Sequence, residues 1–207
     1  MAEKKVIVTT PTERVVHWVL AISCLLLVIT GLALAFRSFE PIASIFGGYN
    51  TMITIHILLG LVFTISLLWA ISIWKKDAGS INDDDIAWMK GAGGYLWDAK
   101  LPDPYKFNAG QKMFFITVAL YGLVMVVTGL ILWLGMDSLG TGLLRWMMVL
   151  HAFGVMVLGG FAMVHIYLGT IGTTGSIDAV LDGKVTEAWA KTHMTKWYKE
   201  VGSKKKA

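Results

Sequence analysis

Four apolar stretches dominate this sequence, at about Val15–Phe36, Met52–Trp74, Met113–Met136 and Trp146–Ile171. None contains an Asp, Glu, Lys or Arg. A helix needs roughly 20 apolar residues to cross a hydrocarbon core of about 30 Å, and each stretch exceeds that. The chain has 207 residues, 56% of them hydrophobic and 15% charged, which is too apolar for an ordinary soluble domain. The expected fold class is an all-α integral membrane protein, a four-transmembrane-helix bundle forming one domain over 1–207. The inner loop is then 75–112 and the tail 172–207. The first stretch, with Lys4 and Lys5 before it and Ala33-Leu34-Ala35 near its end, has the outline of a secretion signal. Its apolar core is too long for one and carries His17, so it reads as a retained helix.

The cations set the expected orientation. Three precede the first stretch (Lys4, Lys5, Arg14). Six lie between the second and third (Lys75, Lys76, Lys90, Lys100, Lys106, Lys112). Seven follow the fourth (Lys184, Lys191, Lys196, Lys199, Lys204, Lys205, Lys206). Only Arg37 and Arg145 occupy the other two connections. By the positive-inside rule both termini are expected in the cytoplasm. The net charge of +4 follows from this asymmetry and does not call for nucleic acid as a partner.

Four of the five histidines, His17, His56, His151 and His165, fall inside the apolar stretches. An ionisable side chain in hydrocarbon marks a functional site by default. Four imidazoles with no acid or base beside them fit a partner that takes neutral nitrogen donors, and haem iron with two axial imidazoles is such a partner. Depth sorts them. His56 and His151 lie near the outer ends of inward-running helices. His17 begins an outward helix at the cytoplasmic side. His165 follows His151 by 14 residues, about 21 Å deeper and nearly on the same helix face. The expected pairs are His56 with His151 and His17 with His165, making two haems with helix four contributing to each. The single cysteine, Cys24, excludes an intrachain disulfide, thioether attachment of haem and an iron–sulfur cluster within the chain, so the haems are b-type and non-covalent.

Other features carry less. Gly31, Gly60, Gly129, Gly154, Gly159 and Gly160 leave room for a macrocycle or for close helix packing. The methionines read as apolar filler. Trp18, Trp69, Trp74, Trp133 and Trp146 read as interface anchors. Asp83-Asp84-Asp85 reads as a solvated loop or helix start, and Ser176 as the N-cap of a short helix near Ser176–Leu181. A weak internal echo joins Val28-Ile29-Thr30-Gly31-Leu32 to Val126-Val127-Thr128-Gly129-Leu130.

Just before helix three, Lys106-Phe107-Asn108-Ala109-Gly110-Gln111-Lys112 combines uncharged hydrogen-bonding groups with a glycine that admits close backbone approach. These groups suit a quinone ring. On the residues alone, Asn108 as the N-cap of helix three comes first.

This segment, the Arg14…His17-Trp18 start, His165-x-Tyr167 and the tail resemble the cytochrome b (gamma) subunits of respiratory formate dehydrogenases. The tail motifs are Gly175-Ser176-Ile177…Gly183-Lys184-Val185…Trp189-Ala190-Lys191…Trp197-Tyr198. The resemblance covers nearly the whole chain. It departs at Ile57, where a proline is expected, and at His193-Met194-Thr195, where His-Pro is expected. It implies two haems b with the same ligand pairs, and a menaquinone (or ubiquinone) site formed by Asn108, Gly110 and Gln111 with His165 nearby. Its other implications are an iron–sulfur partner with its own membrane helix, a molybdenum or tungsten dehydrogenase subunit, and residence in the bacterial inner membrane. No catalytic residue for formate is expected in this chain. The four-histidine pattern is shared with cytochromes of membrane hydrogenases and thiosulfate reductases, which stand as alternatives. A non-redox anchor or transporter is the reading from another class.

Overall fold

The computed structural model describes residues 4–204, so Lys205 and Lys206 of the tail lie outside the described residues. The elements, in order, are β1 (Lys5–Ile7), α1 (Pro11–Ala35), α2 (Pro41–Ile45), α3 (Tyr49–Ala78), α4 (Asp83–Lys90), α5 (Ala109–Leu134), α6 (Thr141–Tyr167), α7 (Asp178–Leu181), β2 (Lys184–Thr186), α8 (Glu187–His193) and α9 (Thr195–Lys204). A π-turn over Leu168–Gly172 prolongs α6. The helices α1, α3 and α5, and α6 with its π-turn, are each long and apolar enough to cross a membrane. The protein is an all-α multi-pass membrane protein, its only strands being three residues each among the described residues.

Helix starts are set by reciprocal caps rather than by where the apolar runs begin. At α1 the Thr10 hydroxyl accepts from Glu13 N–H (3.2 Å) and the Glu13 carboxylate accepts from Thr10 N–H (2.7 Å), with Pro11 at the first helical position. The helix therefore begins four residues before its apolar run. Asn82 and Asp85 close the same box on α4 (3.0 and 2.9 Å). The acidic triplet is thus a helix start, but Asp85 is buried rather than solvated. Ser176 is not a cap: the residue flanking α7 is Ile177, with no side-chain cap, and Ser176 supplies its backbone carbonyl to Ala179 N–H instead.

The chain divides into two compact units. One takes the described residues up to Arg14, Ser72–Thr117 and those from Val164 on. In it β1 and β2 pair antiparallel, with Val6 opposite Val185. Val8, Val185, Ala190 and Met194 make a small core, covered by Trp189, Trp197 and Tyr198. Glu187, at the start of α8, binds Lys4 (3.2 Å) and Lys191 (2.8 Å) and accepts from the Tyr198 hydroxyl (2.6 Å). These three donors, Lys191 first, pull its carboxyl down to about 2.

The other unit, Val15–Ile71 and Val118–Met163, consists of helical segments from α1, α3, α5 and α6 with their connections. Its hydroxyls turn back onto their own helices: Ser23 donates to Leu20 O, Thr64 to Gly60 O and Ser66 to Phe63 O. Polar groups in an apolar helix are satisfied this way when no water is present. Ala33, Ala43 and Met52 pack together where α2 fills the connection between α1 and α3. Leu, Ile, Val and Phe side chains such as Leu25, Ile65, Leu120 and Phe153 lie exposed, as lipid-facing positions require.

Candidate functional site

Within the second unit, His56 of α3 and His151 of α6 face one another, their ring centres 6.5 Å apart and their planes 64° apart. An imidazole holds a first-row metal about 2.0–2.1 Å from its nitrogen, and its ring centre lies about 1.1 Å behind that atom. A metal between two imidazoles therefore sets their centres roughly 6.3 Å apart. The observed separation of 6.5 Å is close to that value. No cluster of three or more His, Cys, Asp or Glu suited to a bare metal ion exists among the described residues. Two imidazoles suit a metal whose other positions are filled by a macrocycle.

Each histidine is gripped from the preceding membrane-spanning helix, His56 from α1 and His151 from α5. Thr30 Oγ1 lies 2.7 Å from His56 Nδ1, and Thr128 Oγ1 lies 2.8 Å from His151 Nδ1. Both threonines are buried, and both donate to their own helix, Thr30 to Leu26 O (2.8 Å) and Thr128 to Val124 O (2.7 Å). The glycine after each threonine lets the ring approach. A Cβ on Gly31 would lie 3.4 Å from His56 Cε1, and one on Gly129 would lie 3.2 Å from His151 Cε1. In the sequence these Thr-Gly pairs stand out only as an echo, and no periodicity announces that they contact histidines.

The remaining glycines divide. Gly154 packs against the Met125 side chain, whereas Gly60, Gly159 and Gly160 face open space where a side chain would stand. Gly60 is one turn beyond His56 and so shares its face of α3.

His17 is half-buried on α1, edge-on to Trp18 with centres 5.3 Å apart. His165, near the end of α6, stacks parallel on Phe114 of α5 at 4.1 Å. His17 belongs to the second unit and His165 to the first, and their expected pairing rests on depth along the sequence alone.

In the first unit, Asn108 and Gln111 form a capping box on α5: Asn108 Oδ1 accepts from Gln111 N–H and Gln111 Oε1 accepts from Asn108 N–H, both at 2.9 Å. The capping role that the sequence allowed first is the one observed. It uses the two side-chain carbonyls and leaves the amide N–H2 groups as donors. Gly110 lies under Trp88, where a Cβ would stand 3.1 Å from the indole. Phe114 follows Gly110 and Gln111 by one turn, so the residue under His165 shares their helix face. Ion pairs pin both ends of the segment. Lys106 binds Glu13 (3.1 Å), which also accepts from Trp74 Nε1 (3.3 Å), and Lys112 binds Asp85 (2.7 Å). The pocket lined by Trp88, Phe107, Asn108 and Lys112 holds only about 40 Å³, room for water rather than a ring.

The sequence profile of prokaryotic cytochrome b561 matches residues 8–183. The cytochrome b556(fdo) subunit of formate dehydrogenase from Escherichia coli (strain K12) is 31% identical over 195 residues, covering 93% of this chain and 91% of its own length. The formate dehydrogenase cytochrome b556 subunit of Haemophilus influenzae is 32% identical over 192 residues, covering 90% and 79%. The nitrate-inducible formate dehydrogenase cytochrome b556(Fdn) subunit of Escherichia coli (strain K12) is 28% identical over 207 residues, covering 97% and 94%. The match spans the four membrane helices and all four intramembrane histidines, and the chain belongs to the prokaryotic cytochrome b561 family.

Proposed function

We propose that this chain is the membrane cytochrome b subunit of a formate dehydrogenase complex, binding two haems b and passing electrons from an iron–sulfur subunit to quinone. The observation that carries this is the His56–His151 pair, spaced for one metal inside a membrane protein of a cytochrome family. Haem b, when bound, supplies a one-electron iron couple that needs no proton transfer of its own.

The chain's own residues do the rest. His56 and His151 are the outer ligands. His17 and His165 are the inner ligands, assigned from their depth. Asn108 and Gln111 keep their carbonyls in the cap and offer amide N–H groups to quinone oxygens. Gly110 and Phe114 share that helix face, and a quinone ring seated there displaces the Trp88 indole that covers Gly110. The Lys106–Glu13 and Lys112–Asp85 pairs hold that segment in place. The termini are assigned to the cytoplasm of a bacterial inner membrane from the cation distribution. A catalytic molybdenum or tungsten subunit performs the formate chemistry, and the similarity to formate dehydrogenase subunits supports that partner over a hydrogenase.

Purified complex should show a b-type reduced-minus-oxidised spectrum, bleached by a quinone analogue and restored by a quinol. A colourless chain would contradict the proposal. A coloured chain that co-purifies with hydrogenase would move it to another partner.

A further inference from the structure

We infer that Thr30 and Thr128 are positioning residues that fix the proton on Nδ1 of His56 and His151, leaving Nε2 as the iron-binding atom and lowering the potential of the haem they hold. This rests on the proposed haem ligation. A threonine hydroxyl has one hydrogen. Here it is directed to a helix carbonyl, Leu26 O for Thr30 and Val124 O for Thr128, at 2.8 and 2.7 Å. The oxygen can then only accept, so at 2.7 and 2.8 Å the histidine Nδ1–H is the donor. A neutral imidazole carries one N–H, and its other nitrogen keeps the lone pair that a metal needs.

The hydroxyl, already polarised by the carbonyl it donates to, is a firmer acceptor than an isolated one, since bonds in a chain strengthen one another. It draws positive charge off the Nδ1–H and makes the ring a better electron donor to iron. That favours the ferric state and lowers the potential, as outer partners of metal-bound histidine do. The two Thr-Gly/His sets repeat the same device: threonine as acceptor, the next residue a glycine whose missing Cβ admits the ring, and the histidine on the next membrane-spanning helix. The repeat gives the sequence echo a physical content that helix packing alone does not, because packing requires neither the hydroxyl nor its register with Nδ1.

The test uses the assembled complex with Thr30→Val and Thr128→Val, which keep the side-chain shape, and Thr30→Ser and Thr128→Ser, which keep the hydroxyl. Haem per chain and the potential of each haem are read by redox titration of the b-band, the outer haem being the one lost in His151→Ala. Each valine form should raise the outer potential and weaken outer-haem retention about 10–100-fold, leaving the inner haem unmoved, and each serine form should restore both. Should a valine form fail to assemble, Thr30→Ala and Thr128→Ala carry the same comparison without a branched side chain. An outer haem whose potential and retention are unchanged in the valine or alanine forms overturns the inference while leaving haem ligation standing. A wild-type complex without b-type absorbance overturns the ligation itself.

Discussion

The two units satisfy buried polar groups in opposite ways. In the unit holding His56 and His151, the buried serines and threonines make neutral contacts, with helix carbonyls and, at Thr30 and Thr128, with an imidazole. In the unit holding Asn108 and Gln111, buried groups are charged and paired, Lys112 with Asp85 and Lys106 with Glu13. Neutral contacts keep imidazoles available as donors in hydrocarbon, where a buried charge would be costly. Charged pairs lock a loop-to-helix junction in one geometry, at the cost of leaving a stranded charge if either partner is removed.

The contrast breaks most sharply at Asp85. Replacing it with Ala strands Lys112 and should destabilise the protein by about 3–5 kcal/mol, whereas the paired change Asp85→Leu with Lys112→Met should recover most of that. Thermal unfolding in detergent measures both, and the absorbance of the outer haem should be unaffected in any folded fraction. Equal losses in the single and paired forms would show that the ion pair is not what holds the junction.

Asn108 sharpens it next. Asn108→Ala removes a cap and should cost about 1 kcal/mol. Asn108→Ser keeps a capping oxygen but loses the amide donor, so stability should hold while quinone reduction slows. Turnover that follows stability in both variants would leave Asn108 as a cap alone.

The smallest effect lies at the surface of the first unit. Glu187, pulled down to about 2 by Lys191, Tyr198 and Lys4, is a carboxylate with a depressed pKa. Its contribution is therefore present above the ordinary carboxylate range and lost as pH falls through about 2. Trp189 fluorescence should report a loosening of the β1–β2 ribbon in that window, and Glu187→Gln should flatten it.

The four helices were legible because length and the absence of charge leave no other solution in a bilayer. The helix starts were legible only in part. Asn108 was readable as a cap, but Thr10 and Glu13 lie outside the apolar run and extend α1 beyond it. Ser176 misled because a serine before a short helix is a common cap, while here the chain enters α7 through a turn that uses its carbonyl. The histidines announced themselves as polar groups in hydrocarbon. Thr30 and Thr128 did not, since a threonine in a membrane helix ordinarily bonds only its own carbonyl. Burial of Asp85 was hidden because its partner, Lys112, is 27 positions away.

Haem content per chain bears most directly on the central claim, compared between the wild-type complex and His151→Ala. Two haems b in the wild type and one in the variant, with the inner haem's spectrum retained, is the predicted result. No haem in the wild type, or two in the variant, would contradict it.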